Sequence, residues 1–445
     1  MKNKLLYILC VLTLAVFVLI YVQDRTKLFK LKQLNGVYYT PEKVDLTLDN
    51  FVKGKFQQSI DNNLRYNFGF RELLIRFYNQ YIWDFYHKST NKTVKIGKED
   101  WLFGLRETKN YYESATYEYA NDKDGMKRIF DLEASRMYKV QNILDEYNVF
   151  IFVTLLPGKE FLYSEYLPEN PEPTREPFHA VEYFPHVFDS LNINYINVMK
   201  IFEDQKGNVD YPLFYKTGMH WSYIAAQHAF DSIIKYVEAK GDMNLNNFTI
   251  GEKYTAQAKH PDTDLEDLLN LMRPINPNSF CYSDYQLIND STATKPIFIL
   301  IGDSFFWNIV GSVPLDGIFK KHYYWYYNST IHFDSRYDNT SQVDILEEIL
   351  NSGVIDLSYS PRQLYIFSNK FLPKALLYLT HEDSEIDSTL RAIADSIGGS
   401  DEEKMKSAKD ILFSEPEKYF SDLAGNSVPT TRNSRIPEII KNRIN

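Results

Sequence analysis

Apolar positions along this chain fall into three kinds of run, and each predicts a different element. The first is continuous. Leu5 to Val22 carries no charge over 18 residues, just long enough to cross a hydrocarbon core of roughly 30 Å as a helix. The second recurs at helical spacing. Leu73, Leu74, Phe77, Tyr78 and Tyr81 form a stripe within 55–90 that predicts a helical entry element, and Leu132, Met137, Val140, Ile143 and Leu144 predict a helix over 127–147 that stops near Asn148. A further helix follows His220: Ser222 can cap it, Ile224, Phe230, Ile233, Ile234 and Val237 line one face, and Gly241 can end it. The third kind is short and apolar, in "VFIFVTLL" (149–156), "INYINV" (193–198), "KPIFILIGDS" (295–304) and "RQLYIFSNK" (362–370), each read as a buried strand. A proline-rich loop (Pro168, Pro171, Pro173, Pro177) separates the first two. Strands alternating with helices predict an α/β sandwich around a mainly parallel sheet. Beyond about residue 376 the strands stop and the chain reads as charged and helical, ending in "NSVPTTRNSRIPEIIKNRIN" (426–445), a loosely held tail.

Composition changes this picture in three places. The 49 basic against 59 acidic residues argue against nucleic acid as a partner. The two cysteines, Cys10 in the apolar run and Cys281 without an obvious mate, leave no disulfide framework and no cysteine zinc site. Aromatics reach 16%, with 34 Tyr and 30 Phe, enough for core packing and for stacking on sugar rings. The run Leu5–Val22 ends in "IYVQDRTK" without a small-x-small cleavage site, so an uncleaved anchor is expected. Lys2 and Lys4 precede it and Arg25, Lys27, Lys30 and Lys32 follow, so the flanking charges do not favour export.

Reactive groups in an open α/β sheet belong at the carboxyl ends of strands. Ser304 is placed there by the strand Ile297–Ile301 and the turn glycine Gly302, and the helix start beyond it would offer N–H groups to an oxyanion. A serine hydroxyl needs a base. His220 in "YKTGMHWS" (215–222), at a helix entrance with Trp221 beside it, is the best of nine histidines; His228 and His381 read as surface residues. Asp303 has a place beside the nucleophile or simply within the turn. No pair shows metal-ligand spacing, and no cofactor is implied.

The order "GKEDWLFG" (97–104), "LLPGKEFLYSEYLP" (155–168), "YKTGMHWS", "DTDLEDLLNLM" (262–272) and "IGDSFFW" (301–307) resembles the alginate O-acetyltransferase group, AlgX/AlgJ-like proteins with SGNH-hydrolase-like domains. In that superfamily at large the serine block comes first; the reversed order here is that of the alginate group. The resemblance implies an SGNH-hydrolase-like α/β/α sandwich and acyl transfer, usually acetyl, to a sugar hydroxyl outside the cytoplasmic membrane. Ser304 would carry the acyl group and His220 would act as base. The implied partners are an exported polysaccharide as acceptor, a polytopic membrane acyltransferase as donor, and the membrane through the N-terminal helix, with the bulk in the periplasm or extracytoplasmic space. Gly311 and Asn369 are the oxyanion candidates it suggests, and Trp221 and Lys159 the substrate-binding candidates. Many members carry aspartate two residues before the histidine, where this chain has Gly218. Another carboxylate, a main-chain carbonyl, a dyad or loss of activity would each answer for that departure. The organisation expected is an anchor (1–25), a helical entry segment (26–95), the acyltransferase domain (96–375) and the tail (376–445). An O-acetyl esterase with the same site and an inactive polysaccharide-binding scaffold are the rival readings.

Overall fold

The structure is a computed structural model, described over residues 2–36, 39–113, 122–169, 178–275, 279–425 and 427–444. Pro171, Pro173 and Pro177 of the proline-rich loop lie outside these residues. Ten strands are formed among the described residues: β1 (Val94–Ile96), β2 (Leu102–Gly104), β3 (Phe150–Leu155), β4 (Tyr195–Asn197), β5 (Asn247–Ala256), β6 (Phe280–Ile288), β7 (Ile297–Gly302), β8 (Lys321–Tyr326), β9 (Thr330–His332) and β10 (Val354–Tyr359). The central sheet has six strands in the order β4-β3-β10-β7-β8-β9. All its pairs are parallel except the edge pair β8–β9. Hairpins β1–β2 and β5–β6 stand apart from it.

The adjacent interior strands β3 and β10 explain why such a sheet forms. Every residue of β3 and β10 is buried, as parallel strands covered on both faces require. Helix Lys123–Asp145 packs against Ala180–Leu191 and Phe371–Thr380, and helix Tyr223–Gly241 packs on β3, β5 and β6. Ser222 caps that last helix by accepting from the Ala225 N–H at 3.1 Å. Its left-handed end falls on Asp242 (φ 50°), one residue past Gly241, whose place beside the Phe150 ring leaves a Cβ only 3.0 Å of room. In the sheet's interior Thr154 donates to Asp356 at 2.8 Å, and burial pushes that carboxyl up to about 8.

Two expectations are corrected here. "RQLYIFSNK" is not a strand: the strand lies one turn earlier, in β10, and residues 363–370 make an irregular 3₁₀ stretch with left-handed backbone at Ser368 and Asn369. The segment beyond 376 is helical and charged but not loosely held. Ile436 and Ile439 of its closing stretch, like Ile386, Leu390, Leu412 and Leu423 before them, are buried in the main core, and at about 1.5–3 kcal/mol for each such side chain their burial outweighs fraying. The stripe Leu74, Phe77, Tyr78 and Tyr81 lies on helix Arg71–Tyr86 as its spacing predicts, yet it is exposed. N-terminal to it, helix Lys2–Thr26 is exposed over residues 4–19, is buried at Gln23, and is long and apolar enough to cross a membrane.

Candidate active site

The carboxyl ends of β3, β10 and β7 are adjacent, and the segments leaving them line one small cavity. Ser304 sits in it with Gly158, Glu160, Tyr327, Ser360, Arg362 and Gln363 around it. Its enclosed space is about 30 Å³, room for about two waters. Gly302 is required for the turn: a Cβ there would stand 2.4 Å from the Ser358 carbonyl on the neighbouring strand. Asp303 then braces the turn from within. Its carboxylate accepts from the N–H of Phe305 (3.1 Å) and of Ser360 (2.8 Å), joining the loops after β7 and β10. Burial raises the Asp303 pKa against these bonds. Asp303 therefore holds the loop of Ser304, and its carboxylate bonds backbone, not His220.

His220 comes from a different segment and meets Ser304. Its Nε2 lies 2.8 Å from Ser304 Oγ, and its Nδ1 lies 2.7 Å from Asp264 Oδ2. The Phe305 ring packs on the imidazole at 4.8 Å between centroids. Asp264 opens the helix Asp264–Leu269 and also accepts from the Met219 N–H at 2.7 Å. One carboxylate thus fixes both the imidazole and the backbone beside it. Burial alone would lower the His220 pKa, but the hydrogen bond and charge of Asp264 leave it raised above 6.5. The acid that the sequence left unassigned is therefore Asp264. It stands in "DTDLEDLLNLM", where four acids crowd seven residues (Asp262 to Leu268), and nothing in spacing alone singles it out.

Gly218 is explained by close approach. A Cβ at this position would meet the Asp262 carbonyl oxygen at 2.6 Å, because the loop carrying Asp264 packs directly on the loop carrying His220. Gly218→Asp would force these loops apart. It should cost roughly 1–3 kcal/mol of stability, as overpacking typically does, with no gain in rate. Thermal melting beside an ester-hydrolysis assay checks this, and faster turnover in the variant would contradict the assignment of Asp264.

The remaining sequence candidates fall elsewhere. Trp221 is fully buried and donates its indole N–H to the Phe305 carbonyl at 3.0 Å, so it ties the histidine and serine segments together inside the core. Lys159 is buried as well. Its Nζ donates to the carbonyls of Leu102, Lys216 and Gly218 at 2.8, 2.9 and 2.7 Å, over the Trp101 and Phe103 rings. It clamps the β1–β2 ribbon to the histidine loop and has no donor left for substrate. Gly311 ends helix Phe306–Val310 with its N–H bonded to the Trp307 carbonyl, and Asn369 offers its carbonyl to Asn328; neither lines the cavity. The N–H groups of Phe305, Phe306 and Trp307 are likewise engaged within the turn. His381, expected at the surface, is buried against Thr380 and Asp422. His228 is half-buried and stacks on Tyr211. At the cavity wall Arg362 pairs with Glu107 at 3.0 Å, and burial with the nearby Glu107 pushes Glu160 up to about 8. Among the described residues no cluster suited to a metal ion exists.

A mostly parallel sheet with a serine, a histidine and an aspartate in one hydrogen-bonded line at its carboxyl edge defines an SGNH-hydrolase-like α/β domain. Residues 94–305 match the family described as the SGNH hydrolase-like domain of acetyltransferase AlgX. Among solved structures, the O-acetyltransferase domain of Pseudomonas putida AlgJ is 17% identical, with a TM-score of 0.43 over 63% of this chain and 98% of that one. Bacillus cereus PatB1 with a sulfonyl adduct is 15% identical, with a TM-score of 0.36 over 53% and 90%. Pseudomonas aeruginosa AlgX is 12% identical, with a TM-score of 0.32 over 60% and 55%. No curated protein matches the chain.

Proposed function

We propose that this chain is a membrane-anchored O-acyltransferase that moves an acetyl group onto hydroxyls of an exported polysaccharide through an acyl-serine. The observation that carries the reading is the continuous line Ser304 Oγ, His220, Asp264, with contacts of 2.8 and 2.7 Å. His220 Nε2 takes the Ser304 proton as Oγ attacks the donor's carbonyl carbon. The tetrahedral intermediate collapses, the bond to the leaving group breaks, and His220 returns the proton to that group. An acceptor hydroxyl then enters, gives its proton to His220, and attacks the acyl carbon. Ser304 leaves as the product ester forms and recovers its proton. Asp264 holds the imidazole in the tautomer with Nδ1–H throughout and stabilises its charged form. A polytopic membrane acyltransferase is the donor this scheme calls for, with helix Lys2–Thr26 retained as the anchor and the rest of the chain outside.

The oxyanion reading moves to the cavity wall. Gln363 is buried there, its Oε1 without a partner and its Nε2 only weakly engaged, 3.5 Å from the Tyr327 hydroxyl. That amide is the side-chain donor we assign to the developing oxyanion. Gln363→Leu should lower kcat by about 10²-fold with KM nearly unchanged, and a kcat within about threefold of the parent would remove Gln363 from this role. The overall reading is tested by incubating the full chain in detergent with a chromogenic acetyl ester and a panel of glycans, measuring both free acetate and acetylated glycan. Transfer to a glycan supports the transferase; release of acetate alone supports an esterase. Failure to turn over the ester or to label with a fluorophosphonate would overturn both.

A further inference from the structure

We infer that an aromatic strip leading away from Ser304 along the β8–β9 edge is the binding platform for the acceptor glycan. The inference deepens the acyl-transfer reading and rests on it for the ligand's role as acceptor. The strip begins in the cavity itself, where Tyr327 lines the wall beside Ser304. Tyr326 follows, its ring centroid 4.5 Å from that of Tyr327. Trp307, one helical turn past the nucleophile, packs 6.3 Å from Tyr326, 4.8 Å from His332 and 6.1 Å from Phe333. All of these rings are half-buried except Phe333, which is 46% exposed.

Folding does not account for this arrangement. Tyr327 (φ 51°) and Phe333 (φ 65°) both hold left-handed backbone, which bulky side chains rarely adopt and which is strained for them. In the three-residue β8–β9 turn (327–329), Tyr327 and Asn328 hold two successive positive φ values, a backbone that suits glycine or asparagine but not tyrosine. An exposed phenylalanine in a strained conformation contributes little burial in return. The strain sets both rings along the path from Ser304 instead. A saccharide is the ligand whose chemistry fits. The C–H face of a pyranose stacks on half-exposed rings, and its rim of hydroxyls meets the phenol oxygens of Tyr326 and Tyr327 and the His332 imidazole. A sugar seated against Tyr326 and Tyr327 presents a hydroxyl toward the acyl-serine.

The test measures binding without any acyl donor, so its outcome is independent of catalysis. Hexamers of β-linked glucose, N-acetylglucosamine and mannuronate are titrated calorimetrically into the full chain in detergent. At least one hexamer should bind. Phe333→Gly removes the ring and suits the left-handed backbone, so it should weaken that binding by about tenfold or more while leaving the melting temperature unchanged or raised. Phe333→Tyr should retain the affinity. In the unmutated chain, the same titration should change the emission of the half-buried Trp307. The inference is overturned if no hexamer binds the parent, if Phe333→Gly binds as tightly as the parent, or if tryptophan emission is indifferent to a hexamer that calorimetry shows bound.

Discussion

Ser304→Ala should abolish the acyl-enzyme and lower turnover of an acetyl ester by about 10⁶-fold, the scale on which serine enzymes respond to loss of the nucleophile. The side chain is half-buried and its hydroxyl is bonded to His220, so the fold should lose about 1 kcal/mol at most, the net worth of one hydrogen bond. The turn itself is held by Gly302 and by the two backbone bonds to Asp303, none of which the substitution touches. Intact mass after incubation with a sulfonyl fluoride reads the nucleophile directly: the parent gains a sulfonyl adduct as fluoride leaves, and the variant does not. Turnover above about a tenth of the parent rate would rule out a covalent path through this residue.

Elements whose signal is local were legible in the sequence. β3 and β7 are continuous apolar runs bounded by turn residues, and both form within a residue of where the run predicts. The helix after His220 carries its own cap, and Ser222 makes the bond expected of it. Ser304 and His220 were legible for the same reason, since each stands at a recognisable end of such an element. β10 was misplaced because "VIDLSY" is broken by Asp356, whose cost is removed only by Thr154 on the neighbouring strand. "LYIFS" has the better strand composition, yet its backbone is turned by left-handed residues at its own end and just beyond, Ser368 and Asn369.

What spacing could not supply was contact between distant segments. Asp264 lies 44 residues beyond His220 and is one of several acids around a helix start; only packing of the two loops through Gly218 selects it. Lys159 and Trp221 stand as substrate-binding candidates in the sequence, where nothing shows what either side chain touches. Lys159 instead spends all three ammonium protons on carbonyls of two separate segments, and Trp221 spends its one N–H on the nucleophile's loop. These residues carry no chemistry, yet they set the 2.8 Å distance on which the chemistry depends.

Asp264→Asn tests the assignment that the sequence could not make. Asparagine keeps the shape and can still accept from the Met219 N–H, so the loops should stay in place. It cannot at the same time stabilise an imidazolium or enforce the tautomer that leaves Nε2 bare toward Ser304. The expected fall in kcat is about 10⁴-fold. The pH profile gives a second, independent reading. Burial lowers the His220 pKa, and Asp264 raises it past 6.5 by hydrogen bond and charge, so in the parent the rate climbs as pH rises through a value above 6.5, where the base becomes neutral. In the variant the Asp264 contributions are gone while burial and the smaller raising charges of Asp303 and Glu107 remain, so the same limb moves to lower pH. Stability follows the opposite sense of the same linkage. A folded pKa raised above its unfolded value stabilises most below the unfolded value, and that gain is lost as pH rises through the folded one. The gap in melting temperature between parent and variant should therefore be widest at mildly acidic pH and narrow above it. A variant whose rate limb stays at the parent's pH would show that Asp264 does not set the base, whatever the size of the loss in kcat.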